Sequence, residues 1–191
     1  MINEAAFTDV VHRVVGSALA PYGYELANAS GFRLRFEKPH SYVAVTYDAP
    51  RSHEVSIWLG ELREDPEPPL ELADALRPTD CDAEDLRFAE LIQTSDVETL
   101  SRLLEQASEL LRAFAYQLLE GRHEAFVAAR TMRSERAAAY TAELTSASVL
   151  EEADAAWARK EYSRVHDLLH PIKDTLDDYH RRRLEFAEKR I

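Results

Sequence analysis

Hydrophobic residues in the first sixty positions switch from helical to strand spacing. Phe7, Val10, Val11, Val14, Val15 and Leu19 recur three and four apart, and Pro21 with Gly23 closes the run. That pattern predicts one amphipathic helix. The period then becomes two. Phe32, Leu34 and Phe36 alternate with Arg33 and Arg35; Val43, Val45 and Tyr47 alternate with Tyr42, Ala44 and Thr46; Val55, Ile57 and Leu59 alternate with Glu54, Ser56 and Trp58. With a further strand expected over about 22–28, these runs predict a three- or four-stranded antiparallel meander turning near 28–31, 38–41 and 48–52.

Turn lengths give an expected register, with Glu37 opposite Tyr42 and Tyr42 opposite Trp58. Leu34, Phe36, Val43, Val45, Val55 and Ile57 then share one face, ready to receive the first helix. A slip of one residue would expose that stripe, so the faces are specified more firmly than the register. The opposite face carries Arg33, Arg35, Tyr42 and Trp58. Trp, Tyr and Arg dominate binding hot spots, which makes these four the candidate partner-binding residues. The competing expectation is that C-terminal helices cover this face and make Trp58 an internal contact.

Residues 63–95 contain Pro66, Pro68, Pro69 and Pro78 and read as an acidic connector with short helices near 70–76 and 82–93. Residues 96–191 read as helical. Ser95-Asp96-Val97-Glu98 and Ser148-Val149-Leu150-Glu151 have the spacing of capping boxes. Between them, an Ala- and Arg-rich helix is expected over 123–144, and Gly121 is placed to stop the helix before it. Two more helices are expected over 162–169 and 178–190. Trp157-Ala158-Arg159-Lys160-Glu161-Tyr162, followed by Val165 and Leu169, resembles a tetratricopeptide-type helical hairpin over about 40 residues. Lys160 and Glu161 depart from that family's leucine and glycine, and one unit cannot form a stacked array. The resemblance therefore implies a packed hairpin. The whole reads as α+β, divided into a 1–62 helix-plus-sheet unit, a 63–95 connector and a 96–191 helical region.

Charge sharpens this division. The chain has 191 residues and a net charge of −12. Residues 63–98 hold 12 acids and 3 bases, whereas 1–62 hold 7 and 5 and 99–191 hold 16 and 15. Overall acidity argues against nucleic-acid binding, which needs a basic stripe. A concentrated acidic segment is either a solvated connector or a feature that steers a basic partner. No apolar run approaches the length of a membrane span. The acidic start, Met1-Ile2-Asn3-Glu4, is unlike a signal peptide, so a cytoplasmic protein is expected. Four lysines beside 19 arginines and many alanines fit a GC-rich bacterial genome.

Catalytic signatures are sparse. Five glycines form no phosphate loop, and His123-Glu124 lacks the second histidine of a zinc-protease motif because Val127 stands there. Cys81 lies between Asp80 and Asp82, whose charge disfavours a thiolate. Glu151-Glu152 and Asp177-Asp178 read as acids at helix starts. His166, His170 and Asp174, at i, i+4 and i+8, could line one helix face for a metal. Pro171 interrupts that run and the buried stripe passes beside it, so these histidines are read as flanking the core. No cofactor or metal is expected.

The leading expectation is a non-enzymatic protein-binding module, an antagonist or immunity-type protein acting on a basic partner. The alternatives are a metal-dependent enzyme using His166, His170 and Asp174, and a self-associating structural or regulatory protein with Trp58 at a homodimer contact.

Overall fold

The computed structural model describes residues 1–63 and 67–191. Pro66, one of the interrupting prolines, lies outside the described residues. The chain divides into two compact units, Met1–Arg133 and Ser134–Ile191.

The first unit is α+β. Helix α1 (Glu4–Val11) starts at Asn3, whose side chain accepts from the Ala6 amide at 2.9 Å. It continues through a π-helical turn (His12–Gly16), α2 (Ser17–Leu19) and a 3-10 turn (Ala20–Tyr22). Gly23 ends it at φ +81°, a conformation that favours glycine. Strands β1 (Glu25–Ser30), β2 (Arg33–Lys38), β3 (Ser41–Tyr47) and β4 (Glu54–Glu61) form an antiparallel meander. β1 begins later than expected because the 3-10 turn occupies Ala20–Tyr22. Two short strands, β5 (Leu70–Glu71) and β6 (Ile92–Gln93), pair with the far side of β4.

All six expected core-face residues, Leu34, Phe36, Val43, Val45, Val55 and Ile57, are buried. Phe7 from α1 packs against Phe32 and Tyr47, with ring centroids 5.8 Å away in each case. The β2–β3 register is the expected one, with Glu37 opposite Tyr42. The β3–β4 register is displaced by two: Tyr42 meets Gly60, and Trp58 meets Ala44. The intervening loop causes the displacement. Asp48 accepts from both Ser52 N and Ser52 Oγ, and His53 adopts φ +54°. Tyr47 therefore pairs with Val55. An even displacement leaves every side chain on its face.

The segment read as a connector supplies Leu70, Leu72, Ala75, Leu76 and Ile92 to this same core. It contains α3 (Leu72–Leu76) and α4 (Ala83–Glu90). α5 (Val97–Phe114) buries Leu100, Leu104, Ala107, Leu110 and Leu111. Its N-cap is Asp96, which accepts from Thr99 N at 2.7 Å, rather than Ser95. After α6 (Tyr116–Leu119), Gly121 turns the chain at φ +81°.

Helix α7 (His123–Ala158) is continuous through the second expected capping box. No glycine or proline interrupts it, and Thr141 and Thr145 bond back to the carbonyls of Ala137 and Thr141, each at 2.8 Å. Glu151-Glu152 consequently lies inside a helix instead of at its start. The second unit continues with α8 (Tyr162–Leu169), a 3-10 segment (His170–Thr175) and α9 (Asp178–Glu188). Asp177 caps α9, accepting from His180 N at 2.8 Å. Its core is small: Ala153, Ala156, Val165, Leu169, Leu176, Leu184 and Ala187. Beside it, Trp157, Tyr162 and Phe186 pack edge to face, with centroids 5.3–5.7 Å apart.

Candidate functional site

The outer face of the sheet gathers side chains from β2, β3 and β4. Period-two alternation puts Arg33 and Arg35, Tyr42, Ala44 and Thr46, and Trp58 on the face opposite the core. Tyr42 lies across from Gly60, and a Cβ at Gly60 would overlap the tyrosine ring. The missing side chain gives that ring its place. Arg35 stacks on the same ring, its guanidinium 3.9 Å from the centroid. Glu37 pairs with Arg35 at 2.6 Å, orienting it. Trp58 crosses the small Ala44 and donates from Nε1 to Thr46 Oγ1 at 3.4 Å.

Arg33, Tyr42, Ala44, Thr46, Trp58 and Pro69 line a hollow of about 220 Å³. Arg33 is exposed, and Tyr42 and Trp58 are half-buried. All four sequence-selected residues therefore share one surface. Arg33, Tyr42 and Trp58 form the wall of the hollow, and Arg35 reaches it through its stack on Tyr42.

Pro69 was not among the selected residues. Its carbonyl accepts from Arg133 Nη1 at 2.7 Å, which fixes this wall from α7. Glu71 was also unselected. β5 pairs it with Trp58 at the edge of the hollow. Burial, followed by repulsion from Asp74 and Glu54, raises the Glu71 carboxyl above its ordinary pKa despite the opposing pull of Arg133. These contacts come from a segment distant in sequence, so strand alternation alone carries no sign of them.

A second polar cluster closes the other end of β4. Glu61 is 6% exposed and is held by Arg130 at 2.7 Å and His123 Nδ1 at 2.9 Å. Burial pushes its carboxyl up, but the bonds from Arg130 and His123 and the charge of Arg63 outweigh this and hold it below the ordinary value. Across the strand pair, Ser41 is fully buried and its Oγ lies 2.8 Å from Tyr24 Oη. Lys38 bonds the Leu119 carbonyl. Buried Ser41 and the Glu61–Arg130 pair tie the ends of β3 and β4 to α7. His123 thus belongs to the hydrogen-bonded network around Glu61.

Cys81 is half-buried, and burial together with Asp85 and Asp82 pushes its thiol above the usual value. That environment is opposite to the one that activates a nucleophile. The histidine run also differs from its expected arrangement. Ile172 leaves helical geometry at the 3-10 segment that carries Asp174, and the group that converges among the described residues is His166, His170 and Glu188.

No protein-family model matches the chain, and no curated protein or solved structure matches it with significance. No described helix is long and apolar enough to cross a membrane.

Proposed function

We propose that this chain is a non-enzymatic protein-binding module that engages a basic partner through the outer face of its sheet, in the manner of an antagonist or immunity-type protein. The convergence of Arg33, Arg35, Tyr42 and Trp58 around one hollow carries the reading. Aromatic anchors on a braced sheet lose little side-chain entropy on contact and bury large areas. The acidic rim supplies direction. Burial raises the Glu71 carboxyl and repulsion from Asp74 and Glu54 adds to it; an arriving cation relieves the repulsive part. Complementary charge of this kind chiefly accelerates encounter and selects the partner.

The test is affinity capture of the partner from a bacterial lysate, followed by titration with the purified partner. Trp58→Ala removes the anchor, and Glu71→Lys reverses the rim. A basic partner that is lost with Trp58→Ala and captured more slowly by Glu71→Lys supports the reading. Raising salt to about 1 M, where the screening length is about 3 Å, should weaken the same association. Equal binding by wild type and both variants would overturn it.

A further inference from the structure

We propose that His166, His170 and Glu188 form a binding site for a divalent transition metal of the zinc class in the C-terminal unit. One ligand atom from each side chain lies within 4.8 Å of the others. Tetrahedral zinc holds nitrogen and oxygen donors at about 2.0–2.2 Å, which places such donors about 3.4 Å apart. The three side chains need to close by about 1.4 Å at most, a distance that rotation of the exposed His170 and Glu188 side chains towards half-buried His166 covers.

The local structure favours this use. His166 lies in α8 and His170 opens the 3-10 segment after it, one helical turn on, so their rings stack with centroids 4.9 Å apart. Glu188 is the last residue of α9, and its Oε1 lies 3.9 Å from His170 Nδ1. Two imidazoles and a carboxylate are a borderline donor set suited to zinc, with water completing the coordination. His166 Nδ1 lies 3.3 Å from the Asp167 carboxylate. With the ring proton on Nδ1, that contact would support the ring and present Nε2 to the ion, the usual outer support of a metal-bound histidine. His170 and Glu188 are about half exposed, so ions reach the site directly.

The site joins elements that otherwise share a modest core. Three of the seven buried hydrophobic residues in this unit's core are alanine, and small units commonly gain stability from a metal staple. A bound ion would tie the start of the 3-10 segment to the end of α9, stabilising the folded unit through linkage. None of these residues belongs to the sheet-face reading, so either proposal can fail without the other.

The experiment titrates Zn2+ into the full chain, free of any purification tag and stripped with chelator. Calorimetry and thermal melting are followed in parallel, and Co2+ absorption reports donor geometry. The expected result is one ion per chain, a raised melting temperature and tetrahedral Co2+ bands. His170→Ala and Glu188→Gln should each weaken binding by at least about tenfold, because each deletes a donor. His40→Ala should bind as wild type. Failure to bind tighter than about 0.1 mM, on the scale where binding is worth little more than about 5 kcal/mol, would overturn the site. So would unchanged binding in both His170→Ala and Glu188→Gln, provided circular dichroism shows that they are folded.

Discussion

Tyr42 rests directly over Gly60, its cross-strand neighbour, in space that any β-carbon would occupy. Gly60→Ala should therefore displace the Tyr42 ring and, with it, the Arg35 guanidinium stacked on its face. The obstructed atoms lie at the far end of a side chain, so the sheet should survive at a cost of about 1–2 kcal/mol. Denaturant unfolding checks the cost, and loss of partner binding comparable to Trp58→Ala checks the displacement.

The ion-pair brace at the end of β4 predicts acid sensitivity. Glu61 titrates below its ordinary range when folded, whereas in the unfolded chain its carboxyl takes a value near about 4.3. Between those values the unfolded chain binds more protons. The contribution is complete above the unfolded pKa and disappears as pH falls through the folded one. Glu61→Gln should flatten the acidic limb of a melting-temperature profile. Glu61→Ala should cost about 1–3 kcal/mol at neutral pH by leaving the groups around it without their acceptor, because Arg130 keeps a second carboxylate, Glu67, at 2.8 Å.

Tyr24 predicts the opposite limb. Burial pushes its phenol up to about 12, despite the hydrogen bond with Ser41. Above the ordinary tyrosine pKa of about 10, the unfolded chain loses a proton that the native chain keeps. Stability should then fall as pH rises through this range. Ultraviolet titration should resolve one phenol near 12, and Tyr24→Phe should abolish that phase.

Lys160 joins α7 to α8 in a left-handed conformation, φ +62°. A side chain there carries backbone strain that glycine relieves. Lys160→Gly should raise stability by about 0.5–1 kcal/mol, despite glycine's larger unfolded-state entropy. Calorimetric melting is the direct measurement. A lower melting point would show that the lysine makes a compensating contact.

Much of this architecture was legible because burial imposes a period. Alternation assigned Leu34, Val45 and Ile57 to one face and Arg35, Tyr42 and Trp58 to the other, and the structure keeps both assignments. It could not set the β3–β4 register, which depends on Asp48 capturing Ser52 and on the unusual backbone of His53. Nor did local capping signals end α7. Ser148 and Glu151 have the spacing of a helix start, but the uninterrupted helix on either side supplies the hydrogen bonds that a cap would otherwise provide. The candidate site was half visible for a related reason. Trp58 announces itself by type, whereas Pro69 and Glu71 reach it only after the acidic segment folds back against β4. Glu188 likewise joins His166 and His170 by tertiary packing, while Asp174, nearer in sequence, follows the break in helical geometry at Ile172.

The way the sheet ends bears on how the protein behaves when crowded. β5 and β6 occupy the far side of β4, while β1 is exposed along its whole length. An open strand edge can template a neighbouring molecule and nucleate aggregation. Here the pairing between β1 and β2 is irregular between Leu26 and Asn28, and such a bulge bends the strand that carries it. Growth of cross-β stacks requires a straight, regularly spaced row of donors and acceptors. β1 interrupts that row in mid-strand, so its open edge disfavours polymerisation by strand addition.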